Sequence, residues 1–240
     1  MKKFLFICLI FNFAILNAQE DFLCNAINVF NSLGTDAYTE DGAWKQGRSS
    51  VLIENTNEDN KYEWNKLQDK NIKTCWSEGV KGFGYNEYIL IPFGRSDGIN
   101  FNYKKAKRNK NIKCCLEINN GNCKSFDSFK KYNRVKTCRI KVLDIPNCVG
   151  QDKIYAESDP IIVYDSNIVL QDSPESQKYE FSIILRDDFL YSSPSVILQL
   201  IILDVYPGTD YDDTCISEIN VYGEKVNIGT VEKDPNFLSN

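Results

Sequence analysis

Asp204-Val205-Tyr206-Pro207-Gly208-Thr209-Asp210-Tyr211-Asp212-Asp213-Thr214-Cys215-Ile216-Ser217-Glu218-Ile219 joins three signals in one stretch. A long apolar strand ends, a Pro-Gly turn follows, and an acidic loop runs into a second strand carrying one carboxylate, Glu218, among apolar neighbours. A second dense segment, Thr74-Cys75-Trp76-Ser77-Glu78-Gly79-Val80-Lys81-Gly82-Phe83-Gly84-Tyr85-Asn86-Glu87-Tyr88, lies upstream. Working outward from these, β-rich runs separated by turn residues recur at Tyr88–Phe93, Ile99–Tyr103, Lys113–Ile118, Val135–Leu143, Ile161–Tyr164, Tyr179–Leu185, Val196–Val205 and Ile216–Tyr222. The apolar residues of Tyr179–Leu185 alternate, the mark of a half-buried strand, whereas Val196–Val205 is apolar on both faces and reads as a central one. Strands with almost no helical periodicity predict an all-β sandwich. A single domain over residues 49–223 accounts for the chain, with a leader segment at 19–48 and a loose tail at 224–240.

Residues 1–18 read as a signal peptide. Lys2 and Lys3 precede an apolar run from Phe4 to Leu16, and Ala18 offers a small residue for cleavage. The run is short of the roughly 20 residues a membrane span needs, and no later segment supplies one, so the expectation is an exported chain without a transmembrane segment. Loss of Lys2 and Lys3 takes the formal charge from -5 to -7. A mildly acidic exported chain argues against nucleic acid as a partner. The basic run Lys104-Lys105-Ala106-Lys107-Arg108-Asn109-Lys110 is a local exception, readable as a solvated hairpin loop or as a contact for anionic polysaccharide or lipid headgroups. Nine cysteines become eight without Cys8. An even number in an exported protein predicts disulfides, and the five between Cys114 and Cys148 suggest a local staple.

The sequence holds no histidine. That removes the commonest general base, the histidine-dependent hydrolase triads and most transition-metal sites. Glycoside hydrolysis needs only two carboxylates and survives, with Glu78 paired to Glu87 or Asp213 as its candidates. The carboxylates serve better as oxygen ligands for a hard cation such as calcium. Asp69 lies in an oxygen-rich turn ahead of Trp76, and Glu218 lies in the last strand. The two meet if the first and last strands of the domain are neighbours.

At this point the residues resemble one family. Ser49-Ser50-Val51-Leu52, Asp69 with Thr74 and Trp76, Glu78-Gly79-Val80-Lys81-Gly82, Tyr132-Asn133-Arg134-Val135-Lys136 and the opening stretch look like a bacterial discoidin-like (coagulation factor 5/8 type C) domain. More narrowly, they resemble the glycan-binding or translocation branch found ahead of the catalytic part of streptococcal NAD glycohydrolase. The resemblance spans Ser49 to Gly223. It implies a galactose-binding-like jelly roll with ligand loops at one end and a structural calcium. The calcium ligands it implies are Asp69, Thr74, Asn71 through its carbonyl, and Glu218. Asp69-Lys70 stands where the family often has Asp-Gly. No glycohydrolase segment accompanies the domain, so that relative's activity is not carried over.

For the ligand, Trp76 reads as a core residue beside the calcium turn, while Phe83 and Tyr85 in the glycine loop are stacking candidates. Glu78, Lys81 and Arg134 are candidates for hydrogen bonds, Arg134 either to a ligand or to an acidic loop. Tyr206 and Tyr211 form a second aromatic pair. The reading is an exported, non-enzymatic module, with no catalytic residues, that binds carbohydrate or another cell-surface ligand through its end loops. The alternatives are a protein-interaction or toxin-associated module with a polypeptide partner, and the two-carboxylate glycosidase.

Overall fold

The structure is a computed structural model that describes residues 47–54, 61–93, 111–145, 147–149, 154–156, 161–184 and 195–223. The expected signal peptide, residues 19–46 of the leader, the strand at 99–103, the basic run at 104–110 and the tail lie outside the described residues. Among the described residues, no helix is long and apolar enough to cross a membrane.

Among the described residues ten strands follow one another: β1 (Trp76–Ser77), β2 (Tyr88–Phe93), β3 (Asn111–Asn120), β4 (Asn133–Ile145), β5 (Asn147–Val149), β6 (Ile154–Ala156), β7 (Ile161–Val169), β8 (Gln177–Ile184), β9 (Ser195–Tyr206) and β10 (Thr214–Gly223). A 3-10 turn over Trp64–Leu67 precedes them, and a short helix, α1 (Phe126–Lys131), sits between β3 and β4. The ladder order β2-β9-β4-β10-β3-β8, with β7 on β4 and β1 on β10, folds into two layers. One layer is β2, β9, β4 and β7; the other is β8, β3, β10 and β1. They face each other across one apolar core. From the first layer come Ile89, Ile91, Val196, Leu198, Leu200, Ile202, Ile140 and Val142, and from the second Ile112, Leu116, Ile118, Phe181, Ile183, Ile216, Ile219 and Val221. In β9 the residues at 196, 198, 200 and 202 point inward, as a strand's period of two requires.

The layers are stitched at one corner. The first residues of β4 pair in parallel with β10, Asn133 with Thr214 and Arg134 with Cys215. Two irregularities against β9, between Val135 and Thr137 and between Thr137 and Cys138, then turn β4 into the other layer. Bulges of this kind bend a strand and raise its twist, which is how a strand changes sheets at a corner. The corner is locked by Arg134, whose side chain is buried. Its Nε and Nη2 donate to Asp172 at 3.0 and 2.8 Å, and Nη1 donates to the carbonyls of Tyr132 and Pro207 at 3.1 and 2.9 Å. Its guanidinium lies 5.2 Å from the centre of the Phe129 ring. Gly121, at φ 78°, makes room: a Cβ there would fall 2.5 Å from Arg134 Cγ.

Arg134→Met keeps the stem and removes the fork, leaving Asp172 and two carbonyls without this donor. Breaking a buried pair costs about 3–5 kcal/mol. Because Asp172 is partly exposed and can take water, we expect the low end of that range, seen as a fall of about 10 °C in Tm. A change under about 2 °C in a thermal melt would show that the corner does not depend on this residue.

Candidate functional site

The first and last strands of the domain are neighbours. Trp76 pairs with Ile216 and Ser77 with Cys215, antiparallel. That register brings the turn at 69–74 against β10. Asn71 N–H donates to Glu218 Oε1 at 2.9 Å and to Asp69 Oδ1 at 3.0 Å. The Thr74 hydroxyl lies 2.8 Å from Asp69 Oδ2 and 2.8 Å from the Asn71 carbonyl. All four residues named from the sequence as cation ligands therefore share one place. Burial pushes the Glu218 carboxyl up to about 7; the Asn71 N–H opposes this and the adjoining Asp69 carboxylate adds to it. Lys70 has φ 61°, the left-handed conformation a glycine takes without cost, so the turn keeps the shape of an Asp-Gly step with lysine in it. Among the described residues, no three Cys, Asp or Glu side chains gather as a metal cage. A cation here would rest on two carboxylates, a hydroxyl and a carbonyl, an all-oxygen set that suits a hard ion. Trp76 is fully buried beside the turn, its indole N–H donating to the Ser50 carbonyl at 3.1 Å.

The second locus is the glycine loop at 79–84. It is built around Glu78, which is buried rather than open to a ligand. Its two oxygens accept from Thr214 N–H at 3.0 Å and Val80 N–H at 2.8 Å. The Thr214 hydroxyl in turn donates to the Phe83 carbonyl at 2.8 Å. Gly84, at φ 68°, packs so closely that a Cβ would lie 2.6 Å from Glu78 Cγ. Burial pushes the Glu78 carboxyl up to about 7; the two N–H donors oppose this, and Asp213 and Glu87 add to it. Glu87 is bound in its own way, accepting from the hydroxyls of Ser49 (2.6 Å) and Ser50. The outcome is a rigid loop that presents Phe83, 40% exposed, and Tyr85, 49% exposed, with ring centres 5.7 Å apart. Lys81 is exposed on the same loop.

The other candidates divide. Arg134 is spent on the corner, paired to Asp172 and not to the acidic loop at 210–213 that the sequence reading offered as its partner. Tyr206 is half-buried, with its hydroxyl donating to the Leu170 carbonyl at 3.0 Å. Tyr211 is exposed and stacks on Tyr132 at 4.5 Å, so Tyr206 and Tyr211 are not a pair. The acidic loop is held by α1: Asp210 and Tyr211 N–H groups donate to the Lys131 carbonyl, and Thr209 N–H to that of Lys130. Sequence reading missed Lys136 and Asp204, which form an ion pair at 2.7 Å. The hydrogen bond to Asp204 raises the Lys136 pKa. Only the double bulge brings these positions together, and no local motif marks it.

Six of the eight expected cysteines are described with their side chains, and in the structure none of the six is bonded to another. Cys114 and Cys138 face the core from opposite layers, while Cys115 is half-buried on the strand beside Cys114. The expected local staple therefore has no bond among these residues.

A family described as the NAD glycohydrolase translocation F5/8 type C domain matches residues 37–222. No curated protein matches the sequence. Among solved structures, one described as "CBM4 structure and function" aligns at 12% identity over 72% of this chain and 94% of its own, with a TM-score of 0.30. That superposition is too loose to argue from.

The environment of Glu78 has a pH signature. Between about 4.5 and about 7 the folded chain holds a proton that the unfolded chain has released. Its stabilising contribution is complete below about 4.5 and is lost as pH rises through 7. Melting curves of the native chain and of Glu78→Gln should thus converge or cross as pH is raised over that window, on top of a constant penalty for the lost acceptor. A gap between the two that is independent of pH would contradict the assignment.

Proposed function

Because the chain belongs to the NAD glycohydrolase translocation F5/8 type C domain family, we propose that it is an exported binding module without catalytic activity. Its ligand is a carbohydrate or another cell-surface molecule, taken at the glycine-loop end of the sandwich. One observation carries the reading: Phe83 and Tyr85 stand exposed on a loop that Glu78, Gly84 and Thr214 hold rigid. Aromatic faces bind sugar rings through apolar C–H surfaces, and a preformed platform avoids the entropy of ordering a loop on binding. Lys81, exposed on the same loop, supplies a polar group at the edge of this platform. The same geometry weighs against the glycosidase. Glu78 has both oxygens on backbone N–H groups and little exposure, so it is poorly placed to reach a glycosidic oxygen.

A glycan array probed with the full chain is expected to show binding that Phe83→Ala and Tyr85→Ala each lower by at least tenfold without lowering Tm. Binding that persists in the double variant would move the site elsewhere, and an array with no binding at high protein density would favour a polypeptide ligand.

The turn at 69–74 we read as a structural calcium site, held by Asp69, the Thr74 hydroxyl, the Asn71 carbonyl and Glu218. Calcium there would supply charge that relieves the crowding of the two carboxylates. Millimolar calcium should raise Tm by several degrees relative to chelator, and Asp69→Ala or Glu218→Ala should abolish the shift. The same melt with and without chelator would refute the site.

A further inference from the structure

We propose that Cys75 and Cys215, buried against each other but unbonded in this structure, oxidise to a disulfide that ties β1 to β10. Both side chains are buried, and with Tyr62 they form a small cluster of their own, walled by Val51, Leu52 and Tyr132. The register explains why they meet. Ser77 lies opposite Cys215, with Cys215 Sγ 3.5 Å from Ser77 Oγ. Cys75 is two residues before Ser77 and so shares its face of the strand, diagonal to Cys215. Cys75 immediately precedes the paired residues of β1, so the bond would tie the entry of that strand to β10. The ladder it would reinforce is slight, since β1 meets β10 through Trp76 and Ser77 alone. Yet this contact carries the buried Trp76 on one side and positions Glu78 on the other.

A third thiol is close, and its geometry sets it apart. The Cys123 thiol is turned to the carbonyls of Asn120 at 3.3 Å, Pro174 at 3.7 Å and Gly121 at 3.9 Å, with its N–H on Ser217 Oγ at 2.9 Å. It is outside the apolar cluster that Cys75 and Cys215 share. Burial, and then the Cys75 thiol beside it, push Cys215 well above the ordinary thiol range. In the closed fold it is therefore a poor thiolate, and the bond forms while the chain is still folding. Two S–H bonds are lost and one S–S bond forms. Two electrons and two protons pass to a low-molecular-weight disulfide such as glutathione disulfide, which is cleaved to two thiols. The inference is independent of the ligand reading.

The test is a disulfide map of the full chain, folded in the presence of glutathione disulfide, alkylated with N-ethylmaleimide and digested without reductant. The expected product is a Cys75 peptide linked to a Cys215 peptide, two hydrogens lighter than their sum and separated by reduction. Recovery of both peptides alkylated overturns the proposal, as does either one linked to Cys123 or to another cysteine. In Cys75→Ala, Cys215 should become alkylatable in denaturant; finding it still linked also overturns the pairing. If that variant does not fold, the map of the native chain decides alone. Reduction of the bond, which closes a long loop, should lower Tm by on the order of 10 °C.

Discussion

The buried guanidinium of Arg134 is the interaction on which the rest of this structure depends. Two layers of antiparallel strands do not close by hydrophobic burial alone; something must fix where one strand leaves one layer and enters the other. Here that strand is β4, and the fork of Arg134 binds the chain on both sides of the corner: Tyr132 just before it, Pro207 after β9, and Asp172 between β7 and β8. The neighbouring Asn133 extends the clamp. Its side-chain oxygen accepts from Gly208 N–H at 2.7 Å, and its amide donates to the Asp212 carbonyl. The acidic loop is thereby shaped from the β4 side, and Thr214 leaves it already aimed at Glu78.

Much of the fold was legible because strands announce themselves locally. The runs at Tyr88–Phe93 and Val196–Val205 became β2 and β9 with boundaries changed by at most a residue, and the central position of β9 followed from its apolar character on both faces. What escaped was short or set by tertiary contacts. β1 has two residues, too few for a periodicity, and exists because β10 offers it an edge. Helix α1 has one turn and a half, capped by Ser125, whose hydroxyl accepts from Ser128 N–H at 3.0 Å. The double bulge in β4 and β9 leaves no trace in sequence, since either strand alone reads as regular.

The candidate site divides along the same line. The turn at 69–74 and Glu218 came together as the resemblance implied, because turn chemistry and a carboxylate in an apolar strand are both visible in sequence. Glu78 and Arg134, in contrast, look alike in sequence to groups that await a ligand. Their partners are a backbone N–H of β10 and a carboxylate between β7 and β8, which no local pattern discloses. A charged residue beside glycines is as readily the internal framework of a loop as its working surface. Here the framework is Glu78 and the surface is aromatic.

The partners that define both loci are far apart along the chain. Asn71 meets Glu218 across 147 positions and Glu78 meets Thr214 across 136. A polypeptide that emerges or crosses a membrane N-terminus first presents β1 to β9 before β10, and neither the turn nor the glycine loop can set until β10 has arrived. Such long-range closure is slow relative to local pairing. β10 also lies between β4 and β3 and so inserts between strands already formed. Both loci are consequently withheld by topology until β10 has been delivered, and a product truncated or stalled before β10 presents neither.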